Sequence, residues 1–243
     1  MPEGPSILIL HEEIKKFTNQ KVIEISGSAK IDKDRFINQK IIGFKTFGKQ
    51  TLICFKDAAI RIHLLMFGTY LINDSKSTPL KIGLRFNKGE LNFYTCAVTV
   101  VEGNLNDRYD WSADIMNDKW SAKNAKEKLD EFPKAMICDV LLDQNIFAGL
   151  GNIIKNEILY RTKIHPESIV GKLPEKKIKT LIKEARVYSF EFLEWKKENT
   201  LTAHWLAHEK KICKRCNLPL IKKHTGKNKR RSYFCTNCQE LYK

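Results

Sequence analysis

The sequence predicts an α+β chain in three parts: an N-terminal β-sandwich led by one helix, an all-α domain, and a small cysteine-closed finger. Three observations carry this prediction. Short β-rich runs with polar or glycine breaks fill residues 20–103. From Trp120 onward the apolar spacing turns helical. Two Cys-x2-Cys pairs, Cys213/Cys216 and Cys235/Cys238, punctuate a basic C-terminal segment. The parts are expected at residues 1–118, 119–208 and 209–243.

Each element has its own signal. Residues 5–17 suit an amphipathic helix, with Pro5 in its first turn and Leu10, Ile14 and Phe17 on one face. Residues 22–25, 41–47, 51–55 and 60–64 read as strands, rich in β-branched and aromatic side chains. Residues 84–86 and 91–94 flank Asn87-Lys88-Gly89-Glu90, a hairpin turn with Gly89 placed for positive φ. The polar, irregular interval 103–118 marks the first boundary. Ser121 is placed to cap a helix over 122–132, which Pro133 ends. Residues 135–144 read as a second, largely apolar helix. Gly149-Leu150-Gly151-Asn152 then leads into a helix with Ile154, Ile158 and Leu159 on its apolar side, and Pro174 opens a long helix to about Trp195.

Composition narrows the partners. The formal charge of +15 over 243 residues calls for an anionic partner: nucleic acid, a membrane surface or an acidic protein. No run approaches the ~18 apolar residues of a membrane span, and no secretory signal is recognisable. An anionic polymer in the cytoplasm is therefore the expected partner, with no membrane involvement. Seven cysteines, an odd count, argue against a disulfide framework. Cys54, Cys96 and Cys138 lie among apolar residues and read as buried small hydrophobes. Cys213, Cys216, Cys235 and Cys238 instead have the spacing of a tetrahedral zinc site. With all four positions filled by protein, the zinc is structural; no organic cofactor is expected. Lys222, Lys223, Lys227, Lys229, Arg230 and Arg231 between the pairs form a basic stretch suited to phosphates.

The remaining candidates are ambiguous by themselves. Removal of Met1 before Pro2 leaves a secondary amine beside the carboxylate of Glu3. An α-amino group titrates near pH ~7.7–8, so about a tenth is unprotonated and nucleophilic at pH 7. Taken alone, Met-Pro-Glu reads as an ordinary solvated terminus. Gly149-Leu150-Gly151-Asn152 offers helix N-terminal amides to a phosphate, or is a packing turn. Leu65-Met66-Phe67 is core, or a wedge for a DNA stack from which a base has been flipped. Lys49 sits in a turn and carries no role on composition alone.

Taken in order, these motifs resemble the formamidopyrimidine-DNA glycosylase/endonuclease VIII family over nearly the whole chain. They are Pro2-Glu3-Gly4-Pro5, Gly48-Lys49, the stretch from His63 to Gly68, Leu141-Leu142-Asp143-Gln144, Ala148 to Asn152, Arg230, and Cys235-Thr236-Asn237-Cys238-Gln239. The resemblance implies a β-sandwich domain, a helix–two-turns–helix domain and a zinc finger. It implies a bifunctional DNA glycosylase/AP lyase of base-excision repair, acting as a monomer on double-stranded DNA with damaged bases or abasic sites, in a bacterial-type, nucleoid-containing cytoplasm. Pro2 would be the nucleophile that forms an iminium with the deoxyribose, and Glu3 the acid that opens the sugar. Lys49, Asn152 and Arg230 would grip phosphates, Lys49 as part of the catalytic set. Leu65, Met66 and Phe67 would fill the vacated duplex, and β,δ-elimination would cut the strand.

Two departures stand out. Ser6 occupies the position where the family usually carries a second glutamate. The purine-directed branch has an arginine-bearing stretch where residues 93–100 here contain none. The wedge then comes from one loop, as in the endonuclease VIII branch, and oxidised pyrimidines are the expected substrates. An 8-oxoguanine/formamidopyrimidine enzyme of the same family is the alternative. A non-catalytic DNA-damage-binding protein accounts for Ser6, and a zinc-finger RNA- or ribosome-associated protein accounts for the charge and cysteines but not the terminus.

Overall fold

The computed structural model describes residues 2–243; Met1, and with it the expected removal of the initiator, lies outside the described residues. Backbone packing divides the chain into two units, Met1–Tyr109 and Asp110–Lys243.

The first unit begins with helix α1, Gly4–Ile14, continued by a 3-10 turn at Lys15–Phe17. Pro5 stands in its first turn, where the missing N–H costs nothing. Eight strands follow: β1 (Glu24–Ser26), β2 (Gly43–Phe47), β3 (Gln50–Cys54), β4 (Ala58–His63), β5 (Thr69–Ile72), β6 (Leu80–Phe86), β7 (Gly89–Tyr94) and β8 (Ala97–Glu102). They form two four-stranded antiparallel sheets, β1-β6-β7-β5 and β2-β3-β4-β8. Ile53, Ile60 and Ile62 of one sheet share a core with Ile82, Leu84, Leu91 and Phe93 of the other. Ile7, Leu10, Ile14 and Phe17 of the leading helix enter the same core, so the anticipated apolar face is the buried one. Gly89, at φ 120°, closes the β6–β7 hairpin where a positive φ was anticipated.

Two strands, β5 and β8, have no counterpart in the sequence reading. β5 has only four residues, and neither strand contains a fully buried residue, so neither carries a run of core side chains that would set it apart from the flanking loops.

The second unit contains α2 (Ala122–Asp130), α3 (Ile137–Val140), α4 (Asn152–Thr162), α5 (Glu175–Lys197) and a hairpin of β9 (Ile221–Thr225) and β10 (Arg230–Phe234). Ser121 Oγ accepts the Asn124 N–H and caps α2 as expected. Pro174 stands at the N-cap of α5.

Two expectations are corrected here. The helix expected over 135–144 is a single turn, α3. Beyond it, Asp143 Oδ1 accepts the Asn145 N–H at 2.9 Å, and its carbonyl accepts the Phe147 N–H at 2.9 Å. Local side-chain acceptors of this kind offer the backbone a turn instead of another helical residue. Helix α4 is not amphipathic; Asn152, Ile154 and the whole run from Lys155 to Tyr160 are buried. Its apolar residues were visible in the sequence, but burial of the polar ones depends on what packs around them. The two units part after Tyr109, inside the irregular interval 103–118, and residues 110–118 go with the second: Ile115 N donates to Ala148 O at 3.0 Å, and Arg186 Nη1 donates to the Ile115 and Asn117 carbonyls at 3.0 Å. The finger is likewise part of this unit: His165 N donates to Glu240 O at 2.8 Å, and Gln239 Nε2 to Ile164 O at 2.8 Å.

Candidate active site and nucleic-acid interface

In the first unit, the candidate nucleophile and acid sit at the start of α1. Glu3 is wholly buried at 0% exposure, whereas Pro2 is half-buried. The Glu3 carbonyl accepts the N–H of Ser6 at 2.8 Å and of Ile7 at 3.3 Å, so the terminus is stitched into the first helical turn. Helix α1 packs on β2 and β3, and a His11 ring nitrogen lies 3.1 Å from the Phe44 carbonyl. A terminus that is ordinarily solvated is thus fixed by four core side chains of its own helix.

Lys49 lies in the tight turn between β2 and β3, half-buried, after Gly48 at φ 56°. Tyr109 braces the turn: its ring stands 4.7 Å from that of Phe47, and its hydroxyl donates to Gln50 Oε1 at 3.1 Å. Register carries the turn to its neighbours, because Gln50 pairs with His63 in β4. The Lys49 turn and the 64–68 turn after β4 therefore lie at the same end of one sheet.

That second turn displays Leu65, Met66 and Phe67 at 48%, 50% and 76% exposure. The core alternative is excluded for these three side chains. Such a cluster of exposed apolar groups, without a partner inside its own unit, needs a function. His63, which opens the motif but carries no role on the sequence alone, shapes this turn: its Nδ1 accepts the Leu65 N–H at 3.0 Å, and Leu65 adopts φ 55°. Burial, then the charges of Lys49 and Arg61, push the His63 pKa down and keep the imidazole neutral for that acceptor role.

In the second unit, the Cys213, Cys216, Cys235 and Cys238 sulfurs lie within 4.8 Å of one another. A zinc ion bonded to four thiolates at ~2.3 Å needs sulfurs about 3.8 Å apart. Cys213–Cys238 at 3.9 Å and Cys216–Cys235 at 3.5 Å fit that geometry. The four cysteines can therefore hold a metal ion. Cys54, Cys96 and Cys138 are buried and take no part in the cluster. Around it, Gln239 Oε1 accepts the Cys235 N–H at 2.8 Å, and the Tyr160 hydroxyl lies 3.3 Å from Cys213 Sγ.

Asn152 opens α4 directly after the Gly149–Gly151 turn, as the motif anticipated. It is held against the finger: Nδ2 donates to the Arg231 carbonyl at 2.9 Å, while Oδ1 is buried without a hydrogen-bond partner. Arg230, half-buried, is the first residue of β10, one position from that carbonyl. Asn152 and Arg230 are thus brought together through the backbone of Arg231, which no spacing in the sequence could announce.

The rest of α4 extends the junction. Lys155, at 0% exposure, donates to Ser232 Oγ at 2.8 Å and to Arg231 O at 3.4 Å. Asn156 Nδ2 donates to Arg231 O at 3.3 Å, and its Oδ1 accepts the Tyr233 N–H at 3.3 Å. Glu157, also at 0% exposure, accepts the N–H groups of Leu206, Ala207 and His208 at 2.8, 2.9 and 2.6 Å. Burial raises the Glu157 pKa against the pull of those three donors. The signal for these residues was three consecutive polar groups, Lys155-Asn156-Glu157, inside an otherwise apolar helix. A buried helix carries such groups only where partners await them.

Residues 112–200 match the formamidopyrimidine-DNA glycosylase H2TH domain. The chain therefore carries an H2TH domain of the formamidopyrimidine-DNA glycosylase/endonuclease VIII family. Endonuclease 8-like 3 of Mus musculus is 31% identical over 208 residues, 82% of this chain and 34% of that protein. The chain thus spans about a third of the length of the endonuclease 8-like 3 relatives it matches. Among solved structures, a viral DNA glycosylase superposes with a TM-score of 0.86 at 21% identity, covering 98% of this chain and 100% of its own. Lactococcus lactis formamidopyrimidine-DNA glycosylase bound non-covalently to DNA with an AP site gives 0.85 at 22% identity, with 98% and 99% coverage. These likenesses establish the fold: an N-terminal β-sandwich, an H2TH domain and a C-terminal four-cysteine cluster. In that frame the Gly149–Gly151 turn and α4 lie inside the H2TH domain, whose matched span ends before the finger. No helix among the described residues is long and apolar enough to cross a membrane.

Proposed function

We propose that the chain is a bifunctional DNA glycosylase/AP lyase of base-excision repair that acts on double-stranded DNA with oxidised pyrimidines or abasic sites. The observation that carries this reading is the fully buried Glu3 carboxylate next to a half-buried Pro2 at an anchored terminus. Burying a carboxylate is costly, and a chain end has many ways to avoid it. The names of the relatives and the DNA in the related complexes support the same reading.

On it, the Pro2 nitrogen attacks C1′ of the damaged nucleotide, and the bond from C1′ to the base breaks with the electron pair leaving on the base. Glu3 gives a proton to the ring oxygen O4′ as the sugar opens, and the Pro2–C1′ bond becomes a cationic iminium. The iminium acidifies the C2′ proton, so the 3′ phosphate leaves by β-elimination and the 5′ phosphate by δ-elimination. Lys49, Asn152 and Arg230 hold phosphates, and Leu65, Met66 and Phe67 enter the stack left by the flipped nucleotide. One zinc ion on the four cysteines braces the finger and supplies no chemistry to the reaction.

The pyrimidine preference has support in the backbone. Where the purine-directed branch carries its arginine stretch, residues 93–100 here run from β7 into β8 through a tight turn at Thr95 and Cys96, with Thr95 at φ 51°. Ser6 favours a second reading, a DNA-damage-binding protein without catalysis, because a supporting carboxylate is missing. Borohydride trapping on duplexes with an oxidised pyrimidine or with 8-oxoguanine separates the readings. A covalent adduct on the pyrimidine duplex that is lost in Pro2→Gly supports the proposal. No adduct on any duplex supports binding alone, and trapping only on 8-oxoguanine reverses the substrate assignment. Mass spectrometry of the native N-terminus must find Met1 absent.

A further inference from the structure

The finger hairpin is fastened at two places, and Arg230 lies between them in sequence. The first is the hairpin tip, residues 226–229. Asp139, on α3, accepts the Lys227 N–H at 2.9 Å on Oδ2 and the Asn228 N–H at 3.5 Å on Oδ1. The tip closes on this carboxylate so tightly that a Cβ on Gly226, which has φ 72°, would lie 2.2 Å from Asp139 Oδ1. Helix α3 is itself tied down, with Ile137 N donating to Ser168 O at 2.8 Å and Cys138 N to Pro166 O at 3.2 Å.

The second fastening follows Arg230 by one residue. The Arg231 carbonyl accepts from Asn152 Nδ2, Asn156 Nδ2 and Lys155 Nζ at 2.9, 3.3 and 3.4 Å. One carbonyl has two lone pairs, so three donors from one helix over-determine its place. The Lys155 ammonium also reaches Ser232 Oγ at 2.8 Å, and Ser232 Oγ lies 2.6 Å from Thr225 Oγ1 across the hairpin.

We infer that Asp139 and Lys155 are positioning residues for Arg230, setting from either side the backbone that presents its guanidinium to a DNA phosphate. The inference rests on the reading of Arg230 as a phosphate contact. A two-stranded hairpin is marginal by itself in water. Asp139 supplies the acceptor for two tip amides. Lys155 supplies the ammonium that locks the strand after the turn. Neither residue needs to touch DNA.

The test is equilibrium binding of a fluorescent duplex with a tetrahydrofuran abasic analogue, measured across salt concentrations for wild type, Arg230→Ala, Asp139→Ala, Asp139→Asn and Asp139→Ala/Arg230→Ala. Loss of one phosphate contact lowers the slope of log affinity against log salt by ~0.9. Arg230→Ala is expected to show that loss, with affinity down about tenfold. Asp139→Ala is expected to weaken binding about fivefold with a similar loss of slope, and to add nothing in the Arg230→Ala background. Asp139→Asn, which keeps an acceptor for Lys227, recovers part of it. An Asp139→Ala protein with wild-type affinity and slope overturns the inference, as does an equal loss in both backgrounds, which marks a general effect on folding. If Arg230→Ala binds like wild type, the assignment of Arg230 fails first and takes the inference with it. Lys155→Met is read in the same cycle if it retains its zinc; the Asp139 variants, half-exposed on one helical turn, decide the matter either way.

Discussion

Glu157 gives the sharpest stability prediction. Its carboxylate is wholly buried in α4 and is the acceptor for three consecutive backbone amides at the entry to the finger. Glu157→Ala strands those donors, two of them in buried residues. Hydrogen bonds to a charged partner contribute roughly 1.5–3 kcal/mol each, which puts the raw loss of three at about 4.5–9 kcal/mol. Relief of the cost of burying the carboxylate offsets part of this, so the net loss should fall near the ~3–5 kcal/mol typical of breaking a buried charged network. Glu157→Gln has the same shape; its carbonyl oxygen keeps Ala207 and His208, but its NH2 faces the Leu206 N–H, at a cost of ~1–3 kcal/mol. Guanidinium unfolding of the zinc-loaded protein, followed by tryptophan fluorescence, measures the difference. Hydrogen exchange at amides 206–208 should accelerate in the same order, alanine before glutamine. A Glu157→Ala protein within about 1 kcal/mol of wild type would refute the argument, since the three amides must then find other partners.

Other outcomes follow from the same geometry. Phe67→Ala should leave the melting temperature unchanged, because the side chain is 76% exposed; on the proposed function it should lower kcat/KM on duplex DNA about tenfold, or ~1.4 kcal/mol, with little effect on a single-stranded substrate. His208 has its pKa pushed down to about 4, first by burial and then by Lys155 and Arg231, against the pull of Glu209. A depressed histidine favours the native state above its ordinary value of ~6.5, and that stability drains away as pH falls from there toward the folded value. Melting temperature in wild type should therefore drop across that window, and the drop should be smaller in His208→Gln. Purified protein should contain one zinc per chain by atomic absorption; Cys235→Ser should lose it and unfold at lower temperature, while Cys54→Ser should keep it. Gly226→Ala combines a positive φ with a Cβ aimed at the Asp139 carboxylate, so it should weaken DNA binding at least as much as Asp139→Ala.

The sequence by itself determined the kinds of element and the four-cysteine cluster near the C-terminal end. Period-two and helical spacing placed most strands and helices because burial acts on faces, and faces leave a period in the chain. The cysteine pairs were legible because a metal site demands fixed ligands at short local spacing. The apolar triplet Leu65–Phe67 was visible as a run but not as an exposed one; only its turn, held by His63, puts it in solvent. What tertiary structure alone decided is where long-range partners meet. Asp139 reads as one acidic residue in an apolar segment until the tip of a hairpin nearly ninety residues later, with Lys227 and Asn228, closes on it. Lys155, Asn156 and Glu157 read as a lapse in an apolar helix until Arg231 and the 206–208 amides arrive to receive them. Local spacing records what a residue needs from its neighbours in the chain, whereas a buried polar group records what it needs from the fold, and that partner carries no mark in the sequence.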